Sequence, residues 1–260
     1  MNKIKLITAA CTIFSIILPG NDLRSLPSSS FIIAPSGITS SVYTDSRTVY
    51  KIESDDEDFI LSGTANQQIL SVKSGNGKTL IEILSGESHL PADKDLNIYL
   101  KNTPYLNTDK ESIKKAAANF KNSKDQIKDV SVFVYKHISN KKIGIPLLPA
   151  SSILSGKAGD CTEHSILTIS ILRTLGIPAR AVMGMILSEN FSGKQNVFVY
   201  HMWVEAFKNG GWVLVDSTRP YDIHPNRYIA LAYHNLTTET PLEYLQAIST
   251  MQSMKISCVK

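Results

Sequence analysis

The chain has 260 residues, of which 43% are hydrophobic and 19% are charged, a composition that excludes general disorder and suits one large or two small domains. The formal net charge is only +4, and no run rich in Lys and Arg stands out. The sequence therefore gives little support for a nucleic-acid partner.

Residues 1–20 are predicted to be a secretory signal peptide. Two lysines precede an apolar stretch from Leu6 to Leu18, and Pro19-Gly20 then breaks any helix. The apolar core is short for a membrane span, so we expect a secreted or periplasmic protein with no membrane contact after signal removal. The alternative is an uncleaved N-terminal anchor.

The residues after the leader predict first a linker and then a sheet. Residues 21–40 are rich in Ser, Pro and Gly, and residues 41–105 are predicted to form a small antiparallel β-rich domain because their apolar residues alternate. The alternating segments are Thr48–Glu53, Gln68–Lys73, Leu80–Leu84 and Asn97–Leu100, with a hairpin turn at Ser74-Gly75-Asn76-Gly77. This domain carries no chemical motif, and it could be a spacer, a substrate platform or part of one shared core.

Residues 106–250 mix helices and strands, which predicts an α+β catalytic domain. Capping-box patterns start at Thr108 and Ser123, and a Pro- and Ser-rich connection follows at 144–156. A buried helix is expected over Thr162–Leu175. Strands are expected over 179–187, 197–207 and 212–216, with a polar loop at 188–195 and a C-terminal tail at 251–260.

Cys161 begins the long apolar helix, directly after Gly159-Asp160. The unpaired N–H groups and partial positive charge of a helix N-terminus favour the thiolate, which is the reactive form of cysteine. Its backbone N–H is half of a possible oxyanion site, and Ser151 or Ser152 is the candidate for the other half. A disulfide with Cys258 is the alternative for this cysteine.

A hairpin places a histidine and an aspartate together. If the turn centres on Asn209-Gly210, His201 and Asp216 lie on one face of the sheet as diagonal neighbours. Asp216 would then orient the imidazole, His201 would take the thiol proton, and Cys161 would attack a carbonyl. A register slip of one residue would separate the pair.

Four motifs in order resemble the transglutaminase-like superfamily of cysteine enzymes, which have a papain-like fold. They are Gly159-Asp160-Cys161-Thr162-Glu163-His164, Leu175-Gly176-Ile177-Pro178-Ala179-Arg180, His201-Met202-Trp203-Val204-Glu205 and Trp212-Val213-Leu214-Val215-Asp216. The resemblance spans roughly 108–219 and implies that Cys161, His201 and Asp216 form a catalytic triad. It leaves the reaction open between amide hydrolysis and amine cross-linking.

Several nearby residues have competing interpretations. Trp203 and Trp212 could wall a substrate groove or belong to the core. Asp160 and Glu163 are expected to cap the helix, and Arg180 is expected to form a structural salt bridge. His164 is an alternative base without an identified orienting carboxylate.

The resulting hypothesis is an exported thiol enzyme that acts on amide bonds of proteins or peptides, cell-wall peptides among them, through an acyl-enzyme. Hydrolysis is favoured over cross-linking because water is always available and nothing marks a lysine-binding site. The sequence has no Asp/Asn-rich calcium loop and no strong set of metal ligands, so no metal or cofactor is implied. The rival hypothesis is a non-catalytic peptide-binding module on the same fold.

Overall fold

Helices and antiparallel sheets occur together in the computed structural model, which describes residues 32–86, 95–142, 147–237, 250–251 and 253–259, so the fold class is α+β as predicted. The predicted signal peptide lies outside these residues. The helices are α1 (Glu111–Ala118), α2 (Gln126–His137), α3 (Ala150–Gly156) and α4 (Cys161–Thr174). The strands are β1 (Ile32–Ile33), β2 (Arg47–Ser54), β3 (Gln67–Gly75), β4 (Lys78–Gly86), β5 (Asn140–Lys141), β6 (Ala158–Gly159), β7 (Ala179–Phe191), β8 (Lys194–Lys208), β9 (Gly211–Val215), β10 (Tyr228–His234) and β11 (Met254–Cys258).

The larger sheet, called sheet A here, has the strand order β1-β8-β7-β10, and β9 also pairs with β8. Its central hairpin is longer than the sequence predicts. The polar loop expected at 188–195 is wrong, because β7 and β8 continue to a two-residue turn at Ser192-Gly193, where φ is 50° and 80°. This end of the hairpin is largely exposed, so its strands are polar and lack the apolar alternation that marks a half-buried strand.

One edge of β8 carries two short partners with a gap between them. β1 pairs with Phe198 and Val199, and β9 begins its pairing at Val204. Among the strands that the structure describes, none covers this edge of β8 between those points. The helix that begins at Cys161 meets β8 at Met202, within this gap.

The second sheet, sheet B, has the order β11-β2-β4-β3. Three predictions outside the central hairpin are corrected by the structure. The C-terminal segment forms β11 instead of a tail, with Ile256 paired to Ile52 and its apolar side chains turned inward. Part of the predicted linker forms β1 on sheet A. The strand expected at Asn97–Leu100 is a short 3-10 helix over Leu96–Tyr99.

Sheets A and B share a hydrophobic core, so the β-rich segment is integral to the fold. Tyr50, Ile52, Ile81 and Ile83 from sheet B pack with Met185, Leu187, Phe198 and Ile229 from sheet A. Side chains of sheet B also bond to the backbone of β10. The Ser85 hydroxyl donates to the Tyr228 carbonyl at 2.6 Å, and the Gln67 amide bonds the N–H and C=O of Ala230 at 2.9 and 3.0 Å.

The helices cover sheet A, and α4 is the buried one, as predicted. Gly176, at φ 80°, ends it, and the N–H of Ile177 bonds back to Leu172. The Pro- and Ser-rich connection contains the unpredicted helix α3, and neither α1 nor α2 uses its predicted capping box. In the described segments, no helix has both the length and the apolar character of a membrane span.

Gly184 allows three strands to pack around the centre of sheet A. It pairs with His201 on β8 and Ala230 on β10, and a Cβ here would lie 2.1 Å from the Ile229 carbonyl oxygen and 2.8 Å from the Trp203 ring. We expect Gly184→Ala to lower the free energy of unfolding by about 2 kcal/mol or more, because backbone must move. Urea titration measures the loss.

The matched control is Gly75→Ala at the end of β3, where a Cβ would meet nothing within 4 Å. We expect it to change the free energy of unfolding by less than about 1 kcal/mol. Equal effects of the two substitutions would contradict the packing constraint at Gly184.

Candidate active site

The β8–β9 hairpin has the register that the sequence predicts. Its turn centres on Asn209-Gly210, where φ is 53° and 85°, and Val204 pairs with Val215. His201 and Asp216 therefore reach each other, with Nε2 of the imidazole 2.7 Å from Oδ2 of the carboxylate. A carboxylate can only accept, so Nε2 carries the proton and Nδ1 keeps its lone pair.

The Asp216 carboxylate is buried and well supplied with donors. Its Oδ2 accepts from His201 and from the Tyr228 hydroxyl at 2.8 Å, while its Oδ1 accepts from the N–H and the hydroxyl of Thr218 at 2.9 and 2.7 Å. Burial acts to raise the pKa of Asp216. The charge and hydrogen bond of His201, the bond from Thr218 and the guanidinium of Arg219 outweigh burial and hold that pKa well below its usual range.

Tyr228 is a site residue that sequence reasoning missed. It lies on β10, and only the pairing of β10 with β7 brings it near Asp216. Burial, followed by the charge of Asp216, raises its pKa well above the usual value, so the phenol stays protonated and donates. No local motif surrounds it, so no sequence signal was available.

A capping box fixes the start of α4, as predicted for Asp160 and Glu163. The Asp160 side chain accepts from the N–H of Thr162 at 3.0 Å, and Glu163 Oε2 accepts from the N–H of Asp160 at 2.9 Å. Gly159 leaves room for this arrangement, since a Cβ there would lie 2.3 Å from Cβ of Glu163. Cys161 is thus held at the first turn.

The Cys161 thiol lies beside Met202, the residue after His201 on β8. Burial raises the pKa of this thiol, and the charge of Asp160 raises it further. A hydrogen bond from the Met202 backbone lowers it but does not offset burial. The expectation that the helix N-terminus makes this thiol easier to ionise is therefore wrong for the resting structure, because burial and the neighbouring carboxylates disfavour the thiolate.

His164 has partners that differ in kind from those of His201. Its Nδ1 lies 2.9 Å from the Ser217 carbonyl oxygen, which can only accept, so Nδ1 donates. Its Nε2 then accepts from the Lys141 ammonium at 2.6 Å. Burial, together with the charge of Lys141, lowers the pKa of His164 to about 4. A neutral imidazole with both nitrogens occupied is a poor general base.

The two tryptophans are core residues in this structure. Trp203 is fully buried, next to the rings of His201 and Tyr228, and Trp212 is 3% exposed. Neither lines an open groove, so the substrate-wall interpretation fails for this conformation. Arg180 packs over the Trp212 ring at 4.2 Å and forms the expected salt bridge with Glu205 at 2.8 Å.

Two remaining predictions concern the serines and the cysteines. Ser151 lies on α3, where its hydroxyl donates to Asn107 at 3.0 Å, and Ser152 is exposed on the same helix. Neither serine is therefore identified as the second oxyanion donor. Cys161 and Cys258 are not joined by a disulfide, and Cys258 instead pairs with Tyr50 between β11 and β2.

Comparison with known proteins gives one match to a family. Residues 111–217 match the model of the transglutaminase-like superfamily, and this range contains Cys161, His201 and Asp216. The match confirms the resemblance predicted from the four motifs. The chain has no significant match among curated protein sequences.

Solved structures are similar at low sequence identity. A Cytophaga hutchinsonii protein provisionally named a cysteine protease has a TM-score of 0.49 and 16% identity, over 81% of this chain and 83% of its own. The periplasmic domain of TgpA from Pseudomonas aeruginosa has a TM-score of 0.45 and 13% identity, over 73% of this chain and 95% of its own. Red sea bream transglutaminase has a TM-score of 0.34 and 13% identity, over 66% of this chain and 46% of its own.

The capping-box carboxylate Glu163 makes stability depend on pH. Burial, then the charge of Asp160, raises its pKa to about 8. The folded state thus binds more protons than the unfolded state between its unfolded pKa, about 4.3, and about 8, so the free energy of unfolding falls as pH rises through that window. Glu163→Gln keeps a capping box and removes the titration.

Urea titrations at pH 5, 6.5 and 8 measure this difference. We expect the parent to lose stability relative to Glu163→Gln over the series. Glu111→Gln, in the exposed first turn of α1, is the matched control and should run parallel to the parent. If the stability of Glu163→Gln changes with pH in parallel with that of the parent, the raised pKa of Glu163 is contradicted.

Asp160→Asn separates the cap from the charge. Asn caps helices as well as Asp does, so α4 should persist. Removing the negative charge lowers the pKa of Cys161, and iodoacetamide should alkylate Cys161 faster at pH 8, as followed by mass spectrometry of the peptide that contains it. Asp125→Asn, at the start of α2, is the control and should leave the rate unchanged. An unchanged or slower rate in Asp160→Asn would refute the electrostatic account.

Proposed function

Because residues 111–217 are transglutaminase-like, we propose that this chain is an exported cysteine enzyme that cleaves amide bonds of proteins or peptides through a thioester on Cys161. The observation that carries the proposal is the hydrogen bond between Asp216 and His201, directly before the residue that contacts the Cys161 thiol. A base oriented by a buried acid next to a nucleophile at a helix start suits acyl transfer.

The first half of the reaction forms the acyl-enzyme. Nδ1 of His201 takes the proton of the Cys161 thiol while sulfur bonds to the substrate carbonyl carbon. The carbonyl oxygen becomes an oxyanion, for which the Cys161 backbone N–H is a donor. The tetrahedral intermediate collapses, the C–N bond breaks, and the proton on Nδ1 passes to the leaving amine.

The second half returns the enzyme to its starting state. Water attacks the thioester carbonyl as His201 takes its proton, the C–S bond breaks, and the thiol is protonated again from Nδ1. Asp216 keeps its negative charge throughout and stabilises the imidazolium that forms twice in the cycle. The raised pKa of Cys161 favours proton transfer at the moment of attack over a preformed thiolate.

Hydrolysis is favoured over amine cross-linking because water is always available as the acceptor, and a cation near the start of α4 adds to that preference. The Lys141 ammonium lies there, bonded to His164, and it repels a second ammonium from a lysine acceptor. Export rests on the leader at 1–20, and cell-wall peptides are candidate substrates for that reason alone. A non-catalytic peptide-binding module is the alternative.

Peptide libraries incubated with and without a primary amine test the proposal by mass spectrometry. We expect free acids as products in both, and Cys161→Ser and His201→Ala should each lower turnover by about a thousandfold. Cys258→Ser is the matched control and should retain activity. Amine adducts as the main product would move the reaction to cross-linking, and peptide binding without any product would establish the binding module.

A further inference from the structure

A cation and two tyrosines converge next to the site from three separate elements. Lys141 on β5 points its ammonium at His164, and the ring of Tyr135 on α2 lies 5.7 Å from that ammonium. Tyr221, in the loop that follows Asp216, packs edge-on against Tyr135 with ring centroids 6.1 Å apart. Tyr135 and Tyr221 are 40% and 66% exposed, so their rings are accessible to a ligand.

The Lys141 ammonium has no anionic partner in the part of the chain that the structure describes. In the described segments, no carboxylate oxygen lies within 4 Å of the Lys141 ammonium. Burial lowers the pKa of Lys141, and no carboxylate of the described residues offsets that effect. His164 uses a single N–H of the ammonium, because its Nδ1 is already committed to Ser217.

The backbone of Lys141 lies close to that of the nucleophile. Lys141 pairs with Gly159 in the two-stranded β5–β6 sheet, and Gly159 precedes Cys161 by two residues. Neighbouring strands lie about 4.8 Å apart and two residues span at most about 7 Å, so the Cα atoms of Lys141 and Cys161 are within about 12 Å. An extended peptide covers that distance in three or four residues.

We propose that Lys141, Tyr135 and Tyr221 form a subsite that binds a carboxylate of the peptide substrate, within about four residues of the scissile amide. The inference rests on the proposed function and adds its substrate class, acidic peptides. The ammonium supplies the charge-assisted hydrogen bonds, and the two tyrosine rings hold the apolar part of the same peptide. A substrate carboxylate supplies the anion that the described part of the chain does not place beside Lys141.

Binding and cleavage of four designed peptides test the subsite. Fluorescein-labelled alanine octapeptides carry either Glu or Gln at the sixth position, each with a C-terminal carboxylate or amide. Fluorescence anisotropy measures their binding to Cys161→Ser, and mass spectrometry measures cleavage by the parent. We expect the acid to bind about tenfold more tightly than its amide in one of two comparisons, either Glu against Gln or terminal carboxylate against terminal amide. The comparison that shows the difference identifies the bound carboxylate as a side-chain or a terminal one.

Variants at Lys141 are made in the Cys161→Ser background. Lys141→Met should reduce the ratio of acid to amide binding to about one, whereas Lys141→Arg should keep part of it, since its charge remains. Lys142→Met removes the adjacent exposed lysine and should leave the tenfold ratio intact.

Equal binding of acid and amide peptides by Cys161→Ser, or a ratio that survives Lys141→Met, would overturn the subsite. The two proposals fail separately. Preferential binding of acid peptides without any cleavage would refute the enzyme proposal and leave the carboxylate subsite. Cleavage without a preference for acid peptides would refute the subsite and leave the enzyme proposal.

Discussion

The burial of the Asp216 carboxylate is the constraint on which this structure depends. A carboxylate removed from water is costly unless hydrogen bonds satisfy it, and those donors must come from rigid surroundings. Here they come from β8, from β10 and from the turn after β9, through His201, Tyr228 and Thr218. Sheet B in turn bonds the backbone of β10 at Tyr228 and Ala230, so a segment without chemical motifs helps to place a donor.

The two histidines near Cys161 differ in the hydrogen-bond partners of their ring nitrogens. His201 faces a carboxylate that keeps its negative charge and orients the imidazole ring. His164 lies between a carbonyl and an ammonium, which keeps it neutral. The same type of side chain is thus oriented by a carboxylate in one position and is a neutral hydrogen-bond acceptor in the other, where His164 holds the Lys141 ammonium in place.

The sequence predicted those parts of the site that depend on local patterns. Asn209-Gly210 set the hairpin register that joins His201 to Asp216, and Asp160 with Glu163 formed the capping box that starts α4. Tyr228, β11 and the gap in the edge of β8 depend on pairing between distant segments, which no short pattern encodes. The direction of the shift in the Cys161 pKa differs from the prediction because burial of the thiol is a tertiary property that no local pattern encodes.

Nitrogen-15 NMR of the His201 side chain tests the central claim most directly. With Asp216 as a buried acceptor, the neutral ring should carry its proton on Nε2, with a deshielded N–H signal and an unprotonated Nδ1 available to the thiol of Cys161. Asp216→Asn should remove that preference. A proton found on Nδ1 of the parent would contradict the account, because the imidazole could not then accept the proton of Cys161.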